Sequence, residues 1–429
     1  MKINTRLLTF TAAAVTVAAV FQPYSVLAIS PSISPWESIL SEDSTGVAEE
    51  DHCPDVAVSG QTVHAIWTSN IGNDLHNLCY RRSLDSGDTW QSRTNLQSYG
   101  SENAASMTSG DTTRLAVDGN TVHVIQARYV AGWHYEIDYF RSLDGGATFE
   151  ERRTLYRGPD GWTLNVPRIR SEGGHVVVAL GLSQNWGVQP SGHMLFSADG
   201  GTTFSSSEVV SAVYAPYDWN WGVVVCVDLK LSGNKVASVW RTNGTVPFLA
   251  VTANADGTGI NTLSLSTART ESWTPPSQMQ PQVCAIAGTI SHMAWDQRNA
   301  SGRSALFYTR STDGGATVET PRDLSEGTIG TDEVRAGRVI VAAQGTHVYV
   351  CYVANGSGGV WLRASSDSGA TFDSAVRLHI ADSGLLGNGE LPCLAVDPDD
   401  ASGATAWFAF TVTSPYGGCS ANAVGRTTD

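Results

Sequence analysis

One octapeptide recurs along this chain with the pattern Ser-x-Asp-x-Gly-x-Thr followed by an aromatic residue or, once, by Val318. A degenerate copy at residues 254–259 fills the double gap between the third and fourth full copies. The six aspartates of these copies lie 54 to 59 residues apart. A fixed period of this length predicts a fold built from repeated supersecondary units. The five full copies begin at Ser83, Ser142, Ser197, Ser311 and Ser365.

Each repeat has the same order of short apolar segments around its octapeptide. In the first repeat these are residues 56–58, 63–67, 78–82 and 93–96, with the octapeptide between the last two. Alternating polar and apolar residues, β-branched side chains and Gly/Asp turns indicate antiparallel strands. The sequence therefore predicts an all-β protein, a β-propeller of four-stranded antiparallel blades.

The two chain ends bear on the number of blades. Residues 394–396 and 406–411 resemble the first two strands of a further repeat, and residues 426–429 match the start of an octapeptide. Residues 35–38 match its aromatic end. We therefore expect seven blades, the seventh closed by strands from both termini, with six blades as the alternative. Closure would remove the exposed edges of an open sheet. Residues 29–429 would then form one domain.

Residues 1–28 have the features of a secretory signal peptide. Lys2 and Arg6 precede an apolar run at residues 7–20, and the small residues Val26 and Ala28 suit a cleavage site. The run is short for a bilayer span, although an N-terminal membrane anchor is the alternative interpretation. We expect a secreted, periplasmic or extracellular protein that is not inserted in a membrane after cleavage.

The charge of the chain bears on nucleic-acid binding, and its cysteine content bears on disulfide pairing. The formal net charge of −15 argues against nucleic acid, because phosphate binding needs a basic patch. Seven cysteines leave at least one unpaired within the chain. Those in apolar runs are expected to be buried, namely Cys226, Cys284 and Cys351. A closing bridge could form among Cys53, Cys393 and Cys419, while the pairing of all seven, including Cys79, stays open.

The octapeptides are similar to the Asp-box, or BNR repeat, and over residues 35–429 the chain resembles the sialidase superfamily of propellers. This superfamily includes exo-sialidases, other glycosidases, sugar-binding lectins and non-enzymatic assembly factors. Catalytic sialidases have six blades, a Phe-Arg-Ile-Pro motif, three arginines for the sialate carboxylate, an Asp acid/base and a Tyr nucleophile assisted by Glu. Here the motif is absent, and residues 166–170 match only its Arg-Ile. The resemblance thus predicts the fold and leaves activity open.

Residues that recur at one position of every repeat are expected to serve the fold. The box Asp can accept turn amides, the Gly can adopt positive φ, and the aromatic residue can pack between sheets. His64, His123 and His292 recur at one point of a second strand and are expected to be structural too. Function should then reside in residues that break the repeat.

Three arginines break the pattern at the starts of the predicted first strands. Arg114, Arg168 and Arg338 are anion-binding candidates, because a guanidinium group can hold a carboxylate through two hydrogen bonds. The alternative is that each pairs with an acidic residue of a neighbouring blade. The aligned positions are Asp55, Arg114, Arg168, Val223, Gln282, Arg338 and Cys393.

Six tryptophans lie in predicted connections rather than in strands. Propeller topology places these connections on one face, where indole rings could stack on the C–H faces of sugars. The alternative is that long loops bury their own tryptophans as local cores. The carbohydrate-binding candidates are Trp133, Trp162, Trp186, Trp219, Trp221 and Trp273.

Hydrolysis would need two carboxylates, or a Tyr with an assisting carboxylate, at a defined separation. No diagnostic motif marks such residues, so the catalytic residues are unknown. No cofactor is expected, with calcium at the acidic stretch of residues 49–51 as an alternative that no recognisable ligand spacing supports. The loop candidates are Asp160, Asp218, Glu271, Asp332 and Glu333, with Tyr214 or Tyr217 as the nucleophile.

The sequence therefore favours an exported propeller that binds glycans or glycoconjugates through tryptophan-rich loops, without sialidase catalysis. An exo-acting glycoside hydrolase of the sialidase type, an exo-α-sialidase, is the second hypothesis. A scaffold that holds a protein partner is the third.

Overall fold

A computed structural model describes residues 50–70, 76–99, 113–130, 134–184, 190–211, 224–242, 248–265, 284–298, 304–325, 334–354, 359–379, 393–396, 403–413 and 420–427. These residues form seven antiparallel sheets, each made of consecutive strands. The all-β prediction is confirmed. The predicted signal peptide and residues 35–38 lie outside the described residues, so the strand expected to complete the seventh sheet stays a prediction.

Strand bounds follow the repeat. The first sheet contains β1 (Glu50–Ser59), β2 (Thr62–Asn70), β3 (His76–Ser83) and β4 (Thr94–Tyr99). The second contains β5 (Thr113–Asp118), β6 (Thr121–Val130), β7 (His134–Ser142) and β8 (Arg153–Arg157). The third contains β9 (Trp162–Glu172), β10 (His175–Gln184), β11 (Ser191–Ser197) and β12 (Ser205–Ser211). The fourth contains β13 (Val224–Ser232), β14 (Lys235–Thr242), β15 (Phe248–Asn254) and β16 (Asn261–Ser264).

The remaining sheets are two of four strands and one of three. The fifth contains β17 (Cys284–Ala287), β18 (Ile290–Arg298), β19 (Ser304–Ser311) and β20 (Arg322–Asp323). The sixth contains β21 (Val334–Gln344), β22 (His347–Ala354), β23 (Gly359–Ser365) and β24 (Val376–His379). The seventh contains β25 (Cys393–Val396), β26 (Ala406–Thr413) and β27 (Ser420–Thr427).

Consecutive sheets pack face to face along their first strands. From β1 to β25, the first strand of each sheet contacts the first strand of the next. Six apolar clusters fill the six spaces between consecutive sheets, and each contains large side chains from both neighbours. This arrangement of sheets around their first strands is that of a β-propeller.

The described residues do not show the first and seventh sheets packed against each other through an apolar cluster. Val56 and Val58 of β1 are 61% and 62% exposed, although Leu115 and Leu229, at the same strand position as Val56, are buried. Among the described residues no apolar cluster joins these two sheets. Ring closure therefore stays a prediction from the sequence.

The five full Asp-boxes have the same hydrogen-bonding pattern after the third strand of their sheets. In the second sheet the Asp144 carboxylate accepts bonds from the Ser142 hydroxyl at 2.7 Å and the Thr148 amide at 2.9 Å. The Ser142 hydroxyl in turn accepts the Gly146 amide at 2.8 Å. These bonds hold the pKa of Asp144 well below its usual range, with the Thr148 bonds as the largest cause. The box aspartates are structural, as their recurrence predicts.

Box turns of several sheets also contact the preceding sheet. Arg82 of the first sheet donates to the carbonyls of Asp144 and Gly145, the latter at 2.5 Å. Arg310 of the fifth sheet makes the same contacts with Asp367 and Ser368. The Asp-box thus supplies both a turn and an interface between sheets.

The recurring histidines are buried at these interfaces. His64, His123 and His292 each share a hydrogen bond of 2.7 to 2.8 Å with a buried tyrosine hydroxyl on the third strand of the same sheet. Burial lowers the pKa of each imidazole to about 4. The prediction that these histidines serve the fold is confirmed.

Two further expectations concern cysteines and membrane spans. Cys226, Cys284 and Cys351 are buried free thiols, as predicted, and Cys79 is a fourth. The side chains of Cys53, Cys393 and Cys419 lie outside the described residues, so a closing bridge stays untested. No helix within the described ranges has the length and hydropathy to cross a bilayer.

Candidate functional site

The strand directions define two faces of the propeller. On the first, which we name the box face, the Asp-box turns meet the hairpins between first and second strands, as the bond from Gly200 N to Gly174 O shows at 2.8 Å. On the opposite face lie the connections between second and third strands and the links to the next sheet. We name this second face the connection face. There Trp162 at the start of β9 pairs with Gln184 at the end of β10.

All six candidate tryptophans belong to segments that begin or end at the connection face. Trp162 is the first residue of β9, and only its backbone is described. The other five lie outside the described residues, between strands whose ends are described. Their role in binding stays a prediction. They are Trp133, Trp186, Trp219, Trp221 and Trp273.

Two of the three candidate arginines lie together at the first strands. Arg114 of β5 pairs with Ile125 and Arg168 of β9 pairs with Ala179, which are equivalent ladder positions in neighbouring sheets. Both residues are only 8% exposed. The Arg114 guanidinium donates to the Thr113 carbonyl at 2.7 Å.

Arg168 is a buried cation that approaches a backbone carbonyl of the next sheet. Its Nη2 lies 3.4 Å from the carbonyl of Val227 on the fourth sheet. Among the described residues it forms no ion pair with a carboxylate. Burial lowers the pKa of Arg168, and the positive charge of Arg114 lowers it further. The positive charges of Arg114 and Arg168 oppose each other, while the Asp228 carboxylate acts on Arg168 in the opposite direction.

The third arginine is not at the same position, and the sequence alignment is wrong there. A β-bulge between Val334 and Val339 offsets β21, so Ile340, opposite Cys351, is equivalent to Arg114 and Arg168. Arg338 lies two residues earlier in the strand, and its side chain is not among those described. The bulge adds residues that a count along the sequence does not reveal.

The fourth sheet shows a second difference from the sequence alignment of first strands. Its equivalent position holds Asp228, opposite Val239, and not Val223. Asp228 is buried, and its carboxylate accepts the amides of Leu229 at 2.9 Å and Cys284 at 3.2 Å. Arg170 and Lys230 approach it at 4.0 and 3.8 Å.

Asp55 of the first sheet shows that an aspartate at this position joins neighbouring sheets. Its carboxylate accepts Val56 N at 3.0 Å and, from the second sheet, Leu115 N at 2.8 Å. Asp228 makes the corresponding pair of bonds between the fourth and fifth sheets. Aspartate at this position therefore serves the fold, whereas the two arginines depart from that role.

A chain of charged side chains lies in the second sheet, which also contains Arg114. Asp138 is fully buried and accepts bonds from Arg128 at 2.7 Å, Arg152 at 3.2 Å and Tyr99 at 3.2 Å. Arg128 also pairs with Glu136. Burial and the Asp138 charge raise the pKa of Tyr99 well above its usual range, so this phenol stays protonated.

The chain of charges continues to the connection face. The His134 ring lies 3.3 Å from Glu136 on one side and 3.6 Å from Asp160 on the other. Asp160 is exposed and also lies 3.8 Å from Arg157. Asp160 was a sequence candidate, whereas His134, Glu136 and Asp138 were missed. Their alternation along β7 could have indicated a polar face, but an ordinary exposed strand has the same pattern.

The described residues also bear on metal binding and on acid catalysis. No group of three or more His, Cys, Asp and Glu side chains in the described ranges is placed to hold a metal ion. Of the loop acids named as candidates, only Asp160 is described. The others, with Tyr214 and Tyr217, lie outside the described residues, so the catalytic question stays open.

Comparison with known proteins gives structural matches alone. No family model and no curated protein matches the sequence. The Hadza microbial sialidase Hz136 is similar at 13% identity and a TM-score of 0.41, over 84% of this chain and 63% of that one. The intramolecular trans-sialidase from Ruminococcus gnavus is similar at 13% identity and a TM-score of 0.41, over 88% of this chain and 94% of that one.

A third similar structure is that of a polysaccharide lyase. It is a PL25 ulvan lyase, with 11% identity and a TM-score of 0.46 over 83% of this chain and 89% of that one. Sialidase structures are thus among those similar to this chain.

Proposed function

We propose that this protein binds glycans at the connection face and that it recognises sugars carrying a carboxylate. The observation that carries the proposal is the pairing of Arg114 and Arg168, two buried arginines at equivalent positions of neighbouring first strands. A carboxylate between them would offset their mutual repulsion and could accept two hydrogen bonds from either guanidinium group.

The tryptophan-bearing connections supply the second part of the proposal. Stacking of indole rings on the apolar C–H faces of a sugar provides affinity without charge, while nearby polar groups take up the hydroxyls. Six such residues belong to segments at the connection face, where the first strands that carry the two arginines begin. An acidic oligosaccharide would therefore be held by its carboxylate and by its ring faces.

Binding in this proposal is not followed by sialidase-type hydrolysis. The Phe-Arg-Ile-Pro motif of catalytic sialidases is absent from the sequence. The position that would hold a third arginine is Asp228 in the fourth sheet and Ile340 in the sixth.

Calorimetric titration of the purified chain with 3′-sialyllactose, a glucuronate-terminated oligosaccharide and neutral lactose tests the proposal. We expect the acidic glycans to bind at least tenfold more tightly than lactose. The Trp219→Ala/Trp221→Ala double variant should lose most of this affinity. Equal affinity for acidic and neutral probes, or wild-type binding by the double variant, would contradict the proposal.

The hydrolase alternative is tested separately with a panel of chromogenic glycosides that includes a sialoside. Turnover of any of them, lost in a variant of a loop acid such as Asp160→Asn, would replace the binding proposal by an enzymatic one.

A further inference from the structure

His134 is buried between two carboxylates of the second and third repeats. Its Nε2 is 3.3 Å from Glu136 Oε1, and its Nδ1 is 3.6 Å from Asp160 Oδ1. Its side chain is 5% exposed. Nδ1 has no hydrogen-bond partner in the described structure. One ring nitrogen is therefore in contact with an acceptor, while the other faces a second acceptor beyond hydrogen-bond distance.

This contact joins the ends of two segments that carry candidate tryptophans. His134 begins β7 and directly follows Trp133, while Asp160 lies two residues before Trp162 at the start of β9. A backbone bond from Gly158 N to Tyr135 O at 2.8 Å runs beside it. The relative placement of the two segment ends thus depends on residues 134–136 and 158–160.

The number of protons on the His134 ring determines how many hydrogen bonds it can donate to the two carboxylates. A neutral imidazole has one N–H donor and one acceptor nitrogen, whereas carboxylates can only accept. Neutral His134 can therefore bond one of its two neighbours and must turn a lone pair toward the other. The protonated ring donates at both nitrogens and neutralises part of the negative charge around it.

Two arginines also interact with these carboxylates and so weaken, without cancelling, their attraction for a protonated His134 ring. Arg128 pairs with Glu136, and Arg157 lies 3.8 Å from Asp160. The Arg157 and Asp160 side chains are 63% and 73% exposed, so water screens their interaction. His134 is the buried partner of both carboxylates.

We propose that His134 is a positioning residue that, when protonated, holds the ends of the Trp133 and Trp162 segments together through Glu136 and Asp160. Glycan affinity is then expected to be higher at pH 5.5 than at pH 7.5, because the doubly donating ring favours the joined segment ends. The effect on affinity rests on the proposed function, whereas the effect on the segment ends does not.

Hydrogen exchange of the ligand-free protein tests the structural half. In the wild type, exchange of peptides covering residues 134–136 and 157–161, corrected for the intrinsic rate, should slow several-fold at pH 5.5 relative to pH 7.5. His134→Gln should abolish this response. Asp160→Asn should also abolish it, and its exposed position carries little risk to folding. His175→Gln, a histidine of the box face, should respond like the wild type. An unresponsive wild type, or a His134→Gln variant that responds equally, overturns the proposal.

Titration with 3′-sialyllactose at both pH values tests the functional half, because the glycan carboxylate stays ionised throughout. Wild-type affinity should rise about three- to tenfold at the lower pH, and His134→Gln should show no rise. Binding that does not depend on pH would overturn the effect on affinity. Absence of binding at either pH, with the exchange response intact, would refute the proposed function and leave His134 as the residue that joins the segments.

Discussion

The hydroxyl of Tyr139 in the second sheet lies where a Cβ at Gly201, in the Asp-box of the third sheet, would have to be. The same ring accepts the edge of Phe204 from that box, at 5.3 Å between ring centroids and an interplanar angle of 77°. Tyr80 has the corresponding relationship with Gly146, and Tyr308 with Gly369. The glycine at the fifth position of these boxes is therefore a contact surface between sheets.

Gly201→Ala should destabilise the protein by about 2 to 4 kcal/mol, since the new methyl group collides with Tyr139 and the backbone has positive φ. Gly200→Ala is the matched control, because Gly200 also has positive φ, +65°, but nothing lies within 4 Å of the place that a Cβ would take there. That control should cost only about 1 kcal/mol. Urea unfolding measures both, and equal losses would show that the interface contact has no effect.

Acid should destabilise the fold through the buried histidines. His123 and His292 have pKa values near 4 in the folded state, below the usual 6.5. The unfolded chain therefore binds protons first, so their stabilising effect is complete above pH 6.5 and declines as the pH falls toward 4. The decline should be on the order of 2 kcal/mol for each residue.

Urea midpoints measured from pH 8 to 4 check this expectation. The His123→Gln/His292→Gln double variant should be less stable at pH 8 but should lose less stability on acidification than the wild type. Parallel curves for the two proteins would rule out these histidines as the source of the pH dependence.

Removal of the Arg168 charge should weaken the binding of acidic glycans. A hydrogen bond to a charged group contributes about 1.5 to 3 kcal/mol, so Arg168→Gln should raise the Kd for 3′-sialyllactose about 10- to 100-fold. The affinity for lactose should change little. Lys235→Gln removes one positive charge from the box face and should leave both affinities unchanged. An equal loss for both probes would indicate a folding defect in place of carboxylate recognition.

Asp138→Asn should be among the most destabilising single changes in the second sheet. Asp138 is fully buried and pairs with Arg128 and Arg152, and removing one partner of a buried ion pair costs about 3 to 5 kcal/mol. Glu150→Gln, which breaks the exposed pair with Arg141, should cost less than about 1 kcal/mol. Thermal unfolding compares the two, and similar costs would mean that burial adds nothing to the Asp138 pairs.

The repeat alone was enough to predict the sheets, including the degenerate box of the fourth. Residues 254–259 have no Ser at the first position, yet they form the turn between β15 and β16, with Asp256 bonded to Thr258 at 2.7 and 2.9 Å. The prediction succeeded because turn chemistry is local. An Asp, a positive-φ glycine and a Thr four or fewer residues away interact with each other whatever lies around them.

The position of side chains across sheets was decided only by tertiary structure. Counting along the sequence aligned Arg338 with Arg114 and Arg168 and overlooked Asp228, because the β21 bulge and the length of β13 change the count. The charged chain from Asp160 to Tyr99 likewise joins residues from two sheets and a turn. Local patterns determine strands and turns through interactions between near neighbours. Which charges become buried together depends on ladder register and on sheet packing, which short segments of sequence do not encode.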